Sequence, residues 1–122
     1  MALCALILLL EDEEIIAMDV ERTLLDAQAG EVVCLTSCSD ALQWLAERTP
    51  DVAVIDIFLR DGECCKAAEI LTQRRVPFVV HSARRRVSSP HHLVFLRGTW
   101  LSKPVRPAEL TQAVLHHLRR PR

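Results

Sequence analysis

The chain has 122 residues, 50% of them hydrophobic, and 15 Lys and Arg set against 16 Asp and Glu leave a formal charge of -1 at pH 7. That length holds one domain with a core of ordinary size and leaves no room for a second. The balanced charge excludes a general polyanion binder, so the expected partners are proteins and no nucleic acid.

The apolar run Ala2 to Leu10 lacks a basic start and passes straight into Glu11-Asp12-Glu13-Glu14 without a small-residue cleavage site. It therefore reads as a first strand, Leu3 to Leu10, rather than a signal peptide, and it is too short to span a bilayer, so no membrane insertion is expected. The acidic cluster opens a helix, whose positive dipole end suits it, and Ile16, Val20, Leu24 and Ala27 recur along that helix at the right spacing. Gly30 stops it, Glu31 to Leu35 is a second strand, and Ser39 is the expected N-cap of a helix carrying Leu42, Leu45 and Ala46 that Pro50 closes.

Val52 to Gly62 reads VAVIDIFLRDG. An apolar run, Val52 to Ile57, is interrupted by Asp56 and followed by the turn pair Asp61-Gly62, the pattern of a buried parallel strand that ends in a reactive loop. An ionised carboxylate at the end of an apolar strand is costly unless it meets a cation or a donor, or lies at the solvent-facing edge where open α/β sheets place their ligands. A helix from about Gly62 to Arg75 follows, with Ala67, Ile70 and Leu71 on one face, and then a fourth strand, Val76 to His81, with Pro77 tolerable at its start. Between Ala83 and Arg97 the pattern weakens, so any helix there is short or irregular, and Arg84, Arg85 and Arg86 read as a solvated loop. Gly98 to Leu101 is a fifth strand, and Pro107 with Glu109 marks the first turn of a last helix with Leu110, Ala113, Val114 and His117 on its inner side.

The cysteines Cys4, Cys34, Cys38, Cys64 and Cys65 match no zinc spacing and point to a reducing cytoplasm. Neighbouring Cys64 and Cys65 rarely meet disulfide geometry, so they read as buried or idle thiols. His91-His92 and His116-His117 lack carboxylate or cysteine partners at ligand spacing and read as surface histidines.

Strands alternating with helices, without repeats or long linkers, call for a single parallel sheet covered on both faces. A TIM barrel would need twice the length, and neither a dinucleotide fingerprint nor a P-loop is present. Polar residues fall where the strands stop: Glu11 and Asp12, Asp56, Ser82 and Lys103. In a parallel sheet these ends share one edge. Three carboxylates converging there repel one another unless a cation sits among them, and a hard all-oxygen set suits Mg²⁺. With the charge of Lys103 and the hydroxyl of Ser82, the set can hold a phosphoryl group on the Asp56 carboxylate.

In order and spacing, Glu11-Asp12, Asp56 with Asp61-Gly62, Ser82-Ala83 and Lys103-Pro104 resemble the receiver domain of two-component response regulators across essentially the whole chain. The resemblance implies a flavodoxin-like, doubly wound five-stranded parallel sheet of order 2-1-3-4-5 with about five helices, the fourth short or irregular. It implies one receiver domain over residues 1–122 with no output domain. Asp56 would accept a phosphoryl group from a histidine kinase or histidine phosphotransfer protein, and Mg²⁺ would be bound by Asp12, Asp56 and the backbone carbonyl of Phe58, with Glu11 acting mainly through metal-bound water. Ser82 would move toward the phosphoryl group and Trp100 would change rotamer. Such a domain is a signalling switch rather than an enzyme, apart from slow loss of its own phosphoryl group, and is expected to be a monomer or weak dimer that acts on a downstream protein in the cytoplasm. Glu11 stands where many members carry Asp, Arg60 replaces a common proline and Trp100 replaces a more usual Tyr or Phe. Phe58 offers no hydrogen bond to an attacking water, and Arg84 is expected to flank the phosphoryl group from the other side. The alternative reading is a receiver-like scaffold that binds partners without being phosphorylated.

Overall fold

Runs of branched apolar residues become the strands here because both faces of the sheet are covered and no polar alternation is needed. The computed structural model describes residues 4–83 and 90–119. Its strands are β1 (Leu6–Leu10), β2 (Glu31–Leu35), β3 (Val52–Ile55), the two-residue pair β4 (Phe58–Leu59) and β5 (Gly62–Glu63), β6 (Phe78–Ser82) and β7 (Thr99–Ser102). The α-helices are α1 (Glu14–Asp26), α2 (Cys38–Leu45), α3 (Cys65–Gln73) and α4 (Pro107–Arg119), with a 3-10 helix at Pro90–Arg97. The main sheet has five parallel strands in the order β2-β1-β3-β6-β7, which is the doubly wound 2-1-3-4-5 topology expected of the sequence. β4 and β5 form a separate antiparallel hairpin just beyond β3.

Two apolar layers flank the sheet. One gathers Leu8, Leu10, Ile55 and Val80 with Ala41 and Leu45 of α2, Ala68 and Leu71 of α3 and Phe95 of the 3-10 helix. The other gathers Ile7, Leu9, Val54 and Val79 with Ala17, Val20 and Leu24 of α1 and Leu110 and Val114 of α4. The 3-10 helix packs against α3 and places Phe95 fully inside, so the irregular fourth helix still seals its layer. Gly98 leads into β7 where a Cβ would lie 2.5 Å from the Phe78 ring and 2.6 Å from its carbonyl oxygen, so only glycine lets the chain pass that close to β6.

Several local expectations are corrected. Ser37, not Ser39, caps α2, accepting the Asp40 N–H at 3.1 Å, and the inner face of that helix is Ala41 and Leu45 while Ala46 is exposed. Gly62 does not start α3; it sits in the β4–β5 hairpin, and the helix begins at Cys65. The first helix ends at Asp26, before Gly30, with Gln28 taking a left-handed φ of 53°. His92 is not a surface residue but 2% exposed, and His117 is half-buried with its Nε2 2.9 Å from the Thr99 hydroxyl. Arg84, Arg85, Arg86 and the side chain of His91 lie outside the described residues.

Candidate functional site

The register of the sheet brings the polar strand ends together. Leu10 pairs with Ile55 and Ile55 with Val80, so Glu11 and Asp56 leave adjacent strands at the same level, and Ser82 pairs with Ser102 one residue before Lys103. Backbone bonds extend the ladder past the strand ends: the Asp56 N–H donates to the Leu10 carbonyl at 3.0 Å, and the Lys103 N–H to the Ser82 carbonyl at 2.8 Å. Side chains that are 47 positions apart in the chain are thereby aimed at one another.

Lys103 is the centre of the cluster. Its Nζ lies 2.8 Å from Asp56 Oδ2 and 2.8 Å from Glu11 Oε1. The second oxygen of each carboxylate meets a backbone N–H: Glu13 donates to Glu11 Oε2 at 3.2 Å, and Phe58 donates to Asp56 Oδ1 at 3.4 Å. Burial pushes the Glu11 carboxyl above the usual carboxylate range against the opposing pull of Lys103 and the Glu13 N–H. Burial also works against the charge on Lys103, yet its hydrogen bonds to Asp56 and Glu11 hold its pKa above the ordinary lysine value. The ammonium is therefore a fixed positive charge beside the Asp56 oxygens.

The residues singled out in the sequence divide as follows. Glu11, Asp56 and Lys103 are in direct contact, and Ser82 is joined to Lys103 through the backbone and is 2% exposed. Asp12 is half-buried next to Glu11 at the end of β1. Trp100 is not at this edge; it pairs with Val80 in mid-strand and packs, half-buried, on the layer that holds Phe95. Among the described residues no three His, Cys, Asp or Glu side chains gather closely enough to hold a metal ion by themselves. The Glu11 oxygens face Lys103 and the Glu13 N–H. Hard oxygen donors remain in Asp12, the Oδ1 of Asp56 and the Phe58 carbonyl, which suits a Mg²⁺ ion that keeps most of its waters and takes one or two carboxylates.

Two features escaped the sequence. His81, on β6, is 6% exposed, and its Nδ1 has no hydrogen-bond partner among the described residues; burial, with Lys103 nearby, lowers its pKa. His92, on the 3-10 helix, lies 2.6 Å through Nε2 from Glu63 Oε2, 29 positions away. A buried histidine among aliphatic strand residues can be suspected from a sequence, but its partner cannot.

Asp61, expected as part of a turn, also caps α2 from a distance: its two oxygens accept the N–H groups of Cys38 at 2.7 Å and Ser39 at 3.0 Å. Those bonds hold its carboxyl below the usual range. They fix the loop after Asp56 to the neighbouring helix.

Residues 7–115 match the family model described as response regulator receiver domain. No curated protein matches the chain. Among solved structures it is similar to a response regulator receiver protein from Sinorhizobium medicae, at 27% identity over 94% of each chain and a TM-score of 0.79. It is also similar to the non-phosphorylated HemR receiver domain from Leptospira biflexa, at 22% identity over 97% of each chain and a TM-score of 0.80. A third similar structure is the receiver domain of a sensor histidine kinase from Pseudomonas aeruginosa, which has a magnesium ion coordinated in its active site cleft, at 20% identity over 95% of this chain and 98% of that one and a TM-score of 0.79.

Proposed function

The chain belongs to the response regulator receiver domain family, and from that premise we propose that it is a signalling switch that takes a phosphoryl group onto Asp56. Receiver domains are switches of two-component signalling rather than catalysts of metabolism, and histidine kinases and phosphotransfer proteins are their partners. The donor is a phosphohistidine of such a protein: its P–N bond breaks as the P–O bond to the Asp56 carboxylate forms, and the imidazole leaves with the electron pair. Signalling then proceeds through contacts with a downstream protein, in the cytoplasm. Among the described residues no helix is long and apolar enough to cross a membrane.

The observation that carries this reading is Lys103 held 2.8 Å from Asp56 Oδ2. Its ammonium offsets the negative charge that gathers on the phosphoryl oxygens in transfer, and because the charge is already in place no reorganisation is needed at that moment. Ser82, on the neighbouring strand end, supplies a hydroxyl that turns toward a phosphoryl oxygen once it arrives, and Trp100 repacks in the space this leaves. Asp12, Asp56 and the Phe58 carbonyl would hold Mg²⁺, with Glu11 reaching it through water; the ion would supply positive charge to offset that of the phosphoryl oxygens.

Incubation with acetyl phosphate and Mg²⁺ should add one phosphoryl mass to the wild type and none to Asp56→Asn, and chelation of Mg²⁺ should abolish labelling. Equal labelling of the Asn variant removes Asp56 from the role. A wild type that stays unlabelled with donors that modify other receivers leaves the unphosphorylated scaffold in its place.

A further inference from the structure

We propose that His92 and Glu63 form a clamp that fixes Phe58 at the phosphoacceptor and so couples the phosphoryl site to the 3-10 helix. The inference rests on the phosphoryl reading above. Phe58 and Glu63 are opposite partners across the β4–β5 hairpin, whose two-residue strands are too short to hold their own geometry. An outside anchor is needed.

His92 supplies it. The residue is 2% exposed, and because a carboxylate has no proton to give, its Nε2–H donates to Glu63 Oε2, at 2.6 Å. Its ring meets Phe58 edge-on with centroids 5.9 Å apart, and it also meets Phe95, fully buried in the core, at 6.1 Å. Phe58 in turn sends its backbone N–H to Asp56 Oδ1. A continuous set of contacts therefore runs from the phosphoacceptor through Phe58 and His92 into the 3-10 helix, and a charge-assisted hydrogen bond ties it at Glu63.

A buried histidine bonded to a carboxylate through one ring nitrogen also contributes to stability, so the test must separate position from stability. Loss of phosphoryl from purified, labelled protein with Mg²⁺ present is followed by intact mass. Phe58→Asn should decay about tenfold faster than wild type, and His92→Leu and Glu63→Ala about threefold faster. His92→Gln, whose amide can still donate to Glu63, should decay near the wild-type rate. The double variant His92→Leu, Phe58→Asn should decay no faster than Phe58→Asn alone, because the histidine acts through the ring. Decay of Glu63→Ala at the wild-type rate, or effects of His92 and Phe58 that multiply, overturns the clamp. A readout without phosphoryl stands beside these: Glu63→Ala, a change at a side chain 38% exposed, should shift the Phe58 and Asp56 amide resonances of the unlabelled protein. Unchanged resonances overturn the clamp whatever the phosphoryl result, whereas a wild type that takes no phosphoryl group while the resonances do shift overturns the phosphoryl reading and leaves the clamp standing.

Discussion

Lys103 and Asp56 stand 47 positions apart, yet Nζ and Oδ2 are 2.8 Å from each other and both side chains are 12% exposed. The same ammonium also meets Glu11, which is 1% exposed. Replacing it by the similarly long but uncharged Met leaves two buried carboxylates facing one another without a cation. Breaking a buried pair from one side costs about 3 kcal/mol. Lys103→Met should therefore lower the urea midpoint at pH 7, measured with a chelator present. An unchanged midpoint at pH 7 would show that the carboxylates are already neutralised by something other than Lys103.

His81 makes stability depend on pH. Its folded pKa lies below the ordinary value of 6.5, from burial first and the nearby Lys103 second. The unfolded chain therefore binds the proton more readily, and stability falls as the pH drops below 6.5 toward the folded pKa. The stabilising contribution is complete above that range. His81→Leu, which suits a residue among buried aliphatic neighbours, should flatten this part of the profile in urea unfolding series between pH 7 and pH 5. A slope as steep as that of the wild type assigns the effect to another group.

Ser82 separates phosphorylation from signalling. With only its hydroxyl removed, Ser82→Ala keeps the backbone carbonyl that accepts the Lys103 N–H and should still be labelled by acetyl phosphate. In the wild type a beryllofluoride phosphoryl mimic should shift the indole resonance of Trp100; in the variant the shift should fall by more than half. Equal shifts in both proteins would disconnect the hydroxyl from the tryptophan.

The order of elements, the parallel sheet and the polar strand ends were legible because apolar runs and the residues that stop them are local signals. The mutual contact of Glu11, Asp56 and Lys103 followed from topology alone, since a parallel sheet brings strand ends to one edge. The positions that misled are those where a distant polar group decides a local choice. Ser37 and Ser39 are equally good caps as isolated residues, but Asp61 takes the N–H groups of Cys38 and Ser39 as the first two of the helix, which leaves Ser37, just before them, to cap the Asp40 N–H. Gly62 looked like a helix start until Glu63 found Phe58 across a hairpin and His92 beyond it. Periodicity reports which face of an element is apolar, and says nothing about which polar side chain 29 residues away will reach it.

Arg74 is another such group. From the C-cap of α3 its guanidinium reaches the carbonyls of Leu45 at 2.7 Å and Arg48 at 3.0 Å and the hydroxyl of Thr49 at 2.9 Å, closing the C-terminal end of α2. Arg74→Ala should cost about 1 kcal/mol, the worth of hydrogen bonds to otherwise open carbonyls at a partly solvated site. Arg74→Lys should recover less than half of it in urea unfolding, because an ammonium cannot span three acceptors as a planar fork does.

Asp61 at one end and Arg74 at the other make α2 a helix that cannot complete itself. At eight residues it is too short to persist alone. Apart from Ser37, the side chains that finish its ends come from the segment that follows β3. Although α2 is synthesised earlier, it should acquire its full structure only after the later β3–α3 unit has formed, so assembly of this half of the molecule runs against the direction of the chain. A peptide of residues 36–50 should show no helix by circular dichroism. In pulsed hydrogen exchange during refolding, the amides of Ala41 to Leu45 should gain protection after those of β3; simultaneous or earlier protection would show that α2 nucleates without its remote caps.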